Sequence, residues 1–309
     1  MNKNLYIIIP YYNYFYNIQR ERNLMNFIYL YSNIDNCKIF LVEGVDDKSK
    51  HLPLDVKHFV HSHIKYNLPQ RIWVKENLIN LAVRNHLPND WNYMSWMDSD
   101  IYFFNKDWVN QSIELLETND IIQMFDFSLD QNNPKSQSNA TFNVGYINAF
   151  MNQNDLFIRE FSLKHAGYGW AMNKKFYEKI GGLWEFNIIG SGDTIIARSA
   201  TQNLSREEIL IKGNLNIIYS SKYADQLCEY YDKFKGCKFS FVKSQIYHFF
   251  HGKNHHKLYV ERHEILKHHK FETSMIKYDE NGIIYTDKED LSLHIENYMN
   301  YRENDGVIQ

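Results

Sequence analysis

The sequence is short of cysteine, of net charge and of long apolar runs, and each shortage removes a class of protein. Its 309 residues include three cysteines, Cys37, Cys228 and Cys237. An odd number without paired spacing argues against a disulfide framework and leaves only a Cys228–Cys237 bridge open. The 34 basic and 37 acidic residues give a net charge of −3, so neither nucleic acid nor an anionic membrane is the expected partner. No segment reaches about 18 uncharged apolar residues, and Leu5 to Ile9 is too short for a signal-peptide core or a membrane span. The expectation is a soluble, cytoplasmic protein with no transmembrane segment. No internal repeat is visible. The length suits one large α/β domain or two smaller ones, either able to bury a core.

What is present is an alternation of short apolar runs with helical patterns. Leu5 to Ile9 reads as a buried strand stopped by Pro10, and Phe27, Ile28, Leu30 and Tyr31 mark a helix. Lys38–Val42 and Val56–Val60 read as strands, Ile72–Val83 as a helix, and Trp108–Leu116 as another helix before a strand at Ile121–Phe127. This order predicts a mostly parallel sheet with helices on both faces. The polar stretch from Ser128 to Thr141 reads as a loop at a site rim or domain joint. Gly145–Phe161 is again helical, a His- and Lys-rich helix spans about Leu258–His269, with His255, His256, His268 and His269 read as its surface, and an amphipathic helix follows Asp287.

Three clusters carry chemistry. The first is Tyr93-Met94-Ser95-Trp96-Met97 running into Asp98-Ser99-Asp100. An apolar run ending abruptly in acid matches the C-terminal end of a buried parallel strand, the edge where open α/β sheets bind ligands. Carboxylates at i and i+2 on an extended chain point the same way, and a hard divalent cation relieves their repulsion. The plain alternative is a solvated turn that caps the next helix. The second cluster runs from His165 to Thr194, with Gly167-Tyr168-Gly169-Trp170, Gly181-Gly182, Trp184 and Gly190-Ser191-Gly192-Asp193. Asp193 opens a helix, where a carboxylate stays ionised or simply caps. The third is His248 and His251 before Gly252, a pair that converges if the chain bends at Phe250; neutral imidazole beside carboxylate suits Mn²⁺.

The order of these pieces, from the IIIPYYN strand through SWMDSD and GYGWAM…GGLWE…GSGD to HFFHG, resembles the GT-A nucleotide-sugar glycosyltransferases. The likeness spans about Leu5 to His269 and is strongest to the family-2-like group with its galactosyltransferase-type C-terminal module. It implies a GT-A, Rossmann-like fold with a helical C-terminal extension. It also implies a sugar moved from a nucleoside-diphosphate donor, UDP-linked, to a glycan or protein acceptor hydroxyl, with Mn²⁺ or Mg²⁺ and with inversion. Residues 1–127 would form the nucleotide-sugar half, 128–270 the acceptor and catalytic half of the same domain, and 271–309 a helical tail.

Carried onto this chain, the resemblance makes Asp100, His248 and His251 metal ligands and Asp193 the catalytic base. Asp98 would contact the ribose or assist the metal. Pro10 and Tyr11 would border the base, Glu43 would accept from base or ribose, Lys75 would touch the donor, and Trp170 and Trp184 would stack on sugars. Two departures stand out: Gly192-Asp193 replaces the usual Glu-Asp pair, and the second strand ends Glu-Gly-Val-Asp-Asp where many members have Asp-Asp-Gly-Ser. A sugar-1-phosphate nucleotidyltransferase is the competing enzyme, but it needs a glycine-rich loop where this chain has Pro10-Tyr11-Tyr12-Asn13. A carbohydrate-binding protein that has lost its chemistry is the non-enzymatic alternative.

Overall fold

Leu5, Ile7 and Ile9 bury against one set of helices, and Tyr6 and Ile8 against another, so the first strand is apolar throughout because both of its faces are covered. The computed structural model describes residues 3–15, 17–46, 52, 54–133, 136–160, 164–201, 218–252 and 257–302. In chain order they form β1 (Leu5–Tyr12), α1 (Ile18–Tyr31), β2 (Cys37–Val45), β3 (Ser62–Asn67), α2 (Lys75–Asn85), β4 (Tyr93–Met97), β5 (Ile101–Phe103), α3 (Trp108–Leu116) and β6 (Ile121–Gln123). Then come β7 (Phe127–Asn133), β8 (Ser136–Gly145), α4 (Tyr146–Met151), α5 (Leu156–Glu160), β9 (Lys164–His165), β10 (Gly169–Asn173), α6 (Lys174–Ile180) and α7 (Gly192–Thr201). The last are α8 (Ser221–Asp232), β11 (Phe239–Phe241), β12 (Ile246–His248), α9 (His263–His268), β13 (Ile276–Tyr278), β14 (Ile284–Thr286) and α10 (Glu289–Tyr301).

The large sheet has the order β11-β6-β10-β4-β1-β2-β3. Only β10 runs antiparallel to its neighbours, so the predicted mostly parallel sheet is what forms. Helices α1 and α3 supply Leu24, Phe27, Ile28, Trp108 and Ile113 to one core, while α2 and α7 supply Leu78, Ile79, Ile195 and Ile196 to the other. A second sheet, β5-β12-β7-β8-β9, stands beside the edge where β4 ends.

Several expectations need correction. The first strand continues through Pro10 to Tyr12: β4 pairs with β1 only as far as Ile8, so the missing proline N–H costs no ladder bond on that side. Residues 54–58 form a 3₁₀ turn, and the third strand starts at Ser62; Val56 is buried while Lys57, His58 and Phe59 are exposed, which is no strand alternation. The polar stretch after Phe127 is the β7–β8 hairpin, not a loop, because ladder bonds are made by backbone and tolerate polar side chains on an open face. The helix expected over Leu258–His269 is confined to His263–His268, and His255 and His256 lie outside the described residues. The C-terminal segment carries the β13–β14 ribbon before its helix, and Ile284, Leu291, Ile295 and Tyr298 enter the main core. The three cysteines are free thiols. Among the described residues no helix is long and apolar enough to cross a membrane.

Trp170 and Trp184 are core residues rather than sugar platforms. Trp170 is fully buried in β10, in register with Trp96, and its Nε1 donates to Ala166 O at 2.8 Å. Trp184 packs among Phe186, Tyr223 and Tyr230 and donates to the Tyr223 hydroxyl at 2.9 Å. Trp170→Ala should therefore cost about 3–5 kcal/mol of stability. Urea denaturation checks this: the midpoint falls, and nucleotide affinity below the transition stays near the parent value.

Candidate active site

Strand β4 delivers Asp98 and Asp100 to the C-terminal edge of the large sheet, and the two carboxylates have different partners. Asp98 Oδ1 accepts from Lys75 Nζ at 2.9 Å, and the same ammonium lies 3.2 Å from Asp193 Oδ2. Lys75 opens α2 and its side chain is 7% exposed. Burial opposes its charge, but Asp193 and Asp98 outweigh it and hold the ammonium well above the ordinary lysine value. Asp193 lies in the first turn of α7. Burial raises its carboxyl above the usual carboxylate range, with Lys75 pulling the other way and Asp98 adding to the rise. The turn before it is tight: a Cβ on Gly192 would lie 2.0 Å from Glu76 Oε1, so glycine is required there.

Asp100 faces the histidines instead. In the second sheet, β12 pairs with β5 and β7, which sets His248 opposite Ile101 on one side and Asp130 on the other. His248 Nε2 comes 3.6 Å from Asp100 Oδ1, and His251 Nδ1 comes 2.8 Å from Asp100 Oδ2. The ligand atoms of Asp100, His248 and His251 lie within 4.8 Å of one another. The short His251–Asp100 contact lacks the alignment of a hydrogen bond, and His251 Nδ1 and Asp100 Oδ1 are both buried without a hydrogen-bond partner. Ligand atoms that converge this closely, two of them without another hydrogen-bond partner, fit a shared cation, and one carboxylate with two imidazoles suits a first-row divalent ion. Burial, then the Lys257 charge, lowers His251 to about 4, so it is neutral near pH 7, the form that can ligate a cation. Burial works against the Asp100 charge, but the two histidines outweigh it and hold the carboxyl below its usual range.

Around this triad the structure gathers further residues, and sequence reasoning missed one of them, Asp130. Asp130, read as part of a polar loop, accepts hydrogen bonds from the Tyr168 hydroxyl and from Ser128 Oγ (3.0 Å), and lies 4.0 Å from His248 Nδ1. Tyr168, at φ +73°, is sandwiched between His165, stacked at 3.8 Å, and His248 at 4.5 Å. Its only signal in the sequence was the pair of flanking glycines. Burial lowers His165 to about 4.

Pro10, Tyr11, Lys75, Asp98, Asp100, Asp193, His248 and His251 all border one cleft of about 800 Å³. Glu43 does not. It is 1% exposed, away from the cleft, and accepts from Leu52 N at 2.9 Å, His63 Nε2 at 2.8 Å and Lys65 Nζ at 3.1 Å, so its partners are the protein's own. Burial would raise this carboxyl, but these donors hold it below its ordinary value.

No protein-family model and no curated protein matches the chain. Solved structures do. The mannosyltransferase PcManGT from Pyrobaculum calidifontis, in complex with GDP-Man and Mn²⁺, aligns at 13% identity and TM-score 0.46 over 86% of this chain and 63% of that one. TarS residues 1–349 from S. aureus align at 12% identity and TM-score 0.44, covering 86% of this chain and 68% of that one. A 4-diphosphocytidyl-2C-methyl-D-erythritol synthase from Anaerococcus prevotii aligns at 10% identity and TM-score 0.39 over 97% of both chains. The chain spans less than two thirds of the mannosyltransferase.

Two measurements follow. His251→Ala and His248→Ala should each weaken Mn²⁺ binding by more than about tenfold, since loss even of outer-shell partners costs about that much; calorimetry on chelator-treated protein reads it. The second concerns His263, which is 2% exposed between Ser191 Oγ (3.1 Å) and the Tyr219 hydroxyl (2.9 Å). Burial, then Arg262, lowers it to about 3 from an ordinary 6.5. Between those values the unfolded chain binds the proton and the folded chain does not, so stability is intact above pH 6.5 and falls as pH drops. His263→Gln should reduce the slope of that fall by about 1.4 kcal/mol per pH unit, the share of one proton, read from urea midpoints between neutral pH and mild acid.

Proposed function

We propose that the chain is a metal-dependent glycosyltransferase that moves a sugar from a nucleoside-diphosphate donor, UDP-linked, to a glycan or protein acceptor hydroxyl with inversion. One observation carries this reading: a converging carboxylate–imidazole set and a separate half-buried carboxylate on a buried lysine share one cleft. The cleft's volume is of the order a sugar nucleotide needs. Asp100, His248 and His251 would hold the ion, and a bound Mn²⁺ or Mg²⁺ supplies positive charge for a leaving diphosphate.

The chain's own groups divide the remaining work. Asp193 takes the proton of the acceptor hydroxyl as that oxygen bonds to the anomeric carbon and the bond to the diphosphate breaks. Its raised pKa makes it a stronger base than an ordinary carboxylate. Lys75 anchors Asp193 and Asp98 together, so the base cannot swing toward the cation site. Pro10 and Tyr11, at the end of β1, border the cleft where a nucleobase would lie. Attack from the side opposite the leaving group inverts the anomeric centre.

A panel of nucleotide sugars with Mn²⁺, read as released nucleoside diphosphate, tests the reading. Release from a UDP-sugar supports it; pyrophosphate formed from a nucleoside triphosphate and a sugar 1-phosphate would replace it with nucleotidyl transfer. Asp193→Asn should lower kcat by about 10²–10⁴-fold while nucleotide affinity stays within about twofold. The parent rate should climb with pH through a value above the ordinary carboxylate range and then level, as Asp193 ionises. Near-parent transfer by the Asn variant would leave Asp193 a structural partner of Lys75.

A further inference from the structure

Arg262 lies just before α9 on the wall of the same cleft and is 5% exposed. Its Nη2 donates to Ser191 Oγ at 2.8 Å, and its guanidinium sits 5.2 Å from the centre of the Tyr259 ring. Nη1 packs on Gly190, where an added Cβ would come within 3.1 Å. Its Nε is buried and has no hydrogen-bond partner. Arg71 and Arg84 each face a carboxylate, Asp46 and Glu185, whereas Arg262 faces none among the described residues. A guanidinium cannot shed its proton, and a buried charge without a counter-charge costs several kcal/mol. The hydroxyl and the ring beside it offer dipoles, not charge. The cleft wall therefore carries an unmet preference for an anion.

The position says which anion. Gly190 and Ser191, which Arg262 contacts, have φ of +100° and +83°, and they lead into Asp193 two residues later. Arg262 thus borders the base, whereas the cation set is built from the turn before β5, the end of β12 and the segment after it. We propose that Arg262 pairs with an oxyanion, a phosphate or a carboxylate, carried by the acceptor saccharide. This rests on Asp193 being the base, and it narrows the acceptor to an acidic or phosphorylated one. The planar fork of arginine matches both groups. The competing source of the same chemistry is the donor's own diphosphate.

Inorganic phosphate is the probe, titrated calorimetrically into the full chain with and without saturating UDP and Mg²⁺. Phosphate should bind in both conditions with the same affinity. Arg262→Met should weaken it about tenfold or more, the loss of a charge-assisted hydrogen bond. Ser191→Ala removes the contact to the turn but keeps the charge, and its phosphate affinity should stay within about twofold of the parent. Exclusion of phosphate by UDP would assign Arg262 to the donor diphosphate and overturn the proposal, as would phosphate affinity unchanged in Arg262→Met. Should that variant not fold, Arg262→Lys and the UDP competition on the parent chain decide. Phosphate binding needs no sugar transfer, so a chain that binds phosphate in this way yet releases nucleotide from no donor refutes the functional reading and leaves the anion site standing.

Discussion

A buried ammonium organises this cleft. Lys75 sits at the start of α2 with its side chain 7% exposed, and it is tolerable there only because Asp98 and Asp193 lie on either side of it. The three groups come from α2, the end of β4 and the start of α7, segments far apart in the chain. Removing one carboxylate leaves a buried positive charge half-compensated; removing the lysine leaves two carboxylates in contact with each other's field. The interaction therefore fixes where α7 begins relative to the sheet edge, and with it the position of the carboxylate that the proposed chemistry uses as base.

That commitment also divides the two aspartates of the D-x-D stretch. Asp98 is spent on Lys75, while Asp100, two residues on, turns toward the second sheet. Strand β5 starts directly after Asp100, and β12 pairs with it so that Phe249 N donates to Asp100 O at 2.8 Å. Backbone pairing, not side-chain attraction, thus carries His248 and His251 to Asp100. The cost of gathering a carboxylate and two imidazoles is borne by a ladder that would form whatever those side chains were. Asp130 arrives by the same device, since β7 is the other neighbour of β12.

The C-terminal region closes the arrangement. Arg262 and His263 contact Ser191, and His263 continues to the Tyr219 hydroxyl, so the left-handed turn before Asp193 is supported from outside α7. The β13–β14 ribbon and α10 are tied into the same body: Asn77 donates to Gly282 O at 3.1 Å and Gln70 to Thr286 O at 2.7 Å. The segment expected to be a tail is a wall of the core that carries α2, and through α2 it supports Lys75.

Hydrophobic patterning by itself determined the strands β1, β2 and β4, the helix α3, the mostly parallel sheet, and the placing of Asp98 and Asp100 at a strand end. These follow from local physics: a run such as Leu5–Ile9 must be covered on both faces, and its period admits few alternatives. What the pattern could not show were the facts set by partners remote in sequence. Glu43, expected just past a strand end like Asp98, lies inside β2 and is an interior acid because His63 and Lys65 lie on the adjacent strand. Trp170 and Trp184, aromatic and beside glycines, went into the core, the first because β10 is an interior strand of the large sheet and the second because Tyr223 and Tyr230 of α8 pack on it. Asp130 and Arg262 carried no local signal at all, since a polar hairpin and a lone arginine look like surface until the fold sets one beside His248 and the other beside Ser191. Periodicity reports which face of an element is buried; which charges meet there is decided by register and topology, and those exist only once the chain has folded.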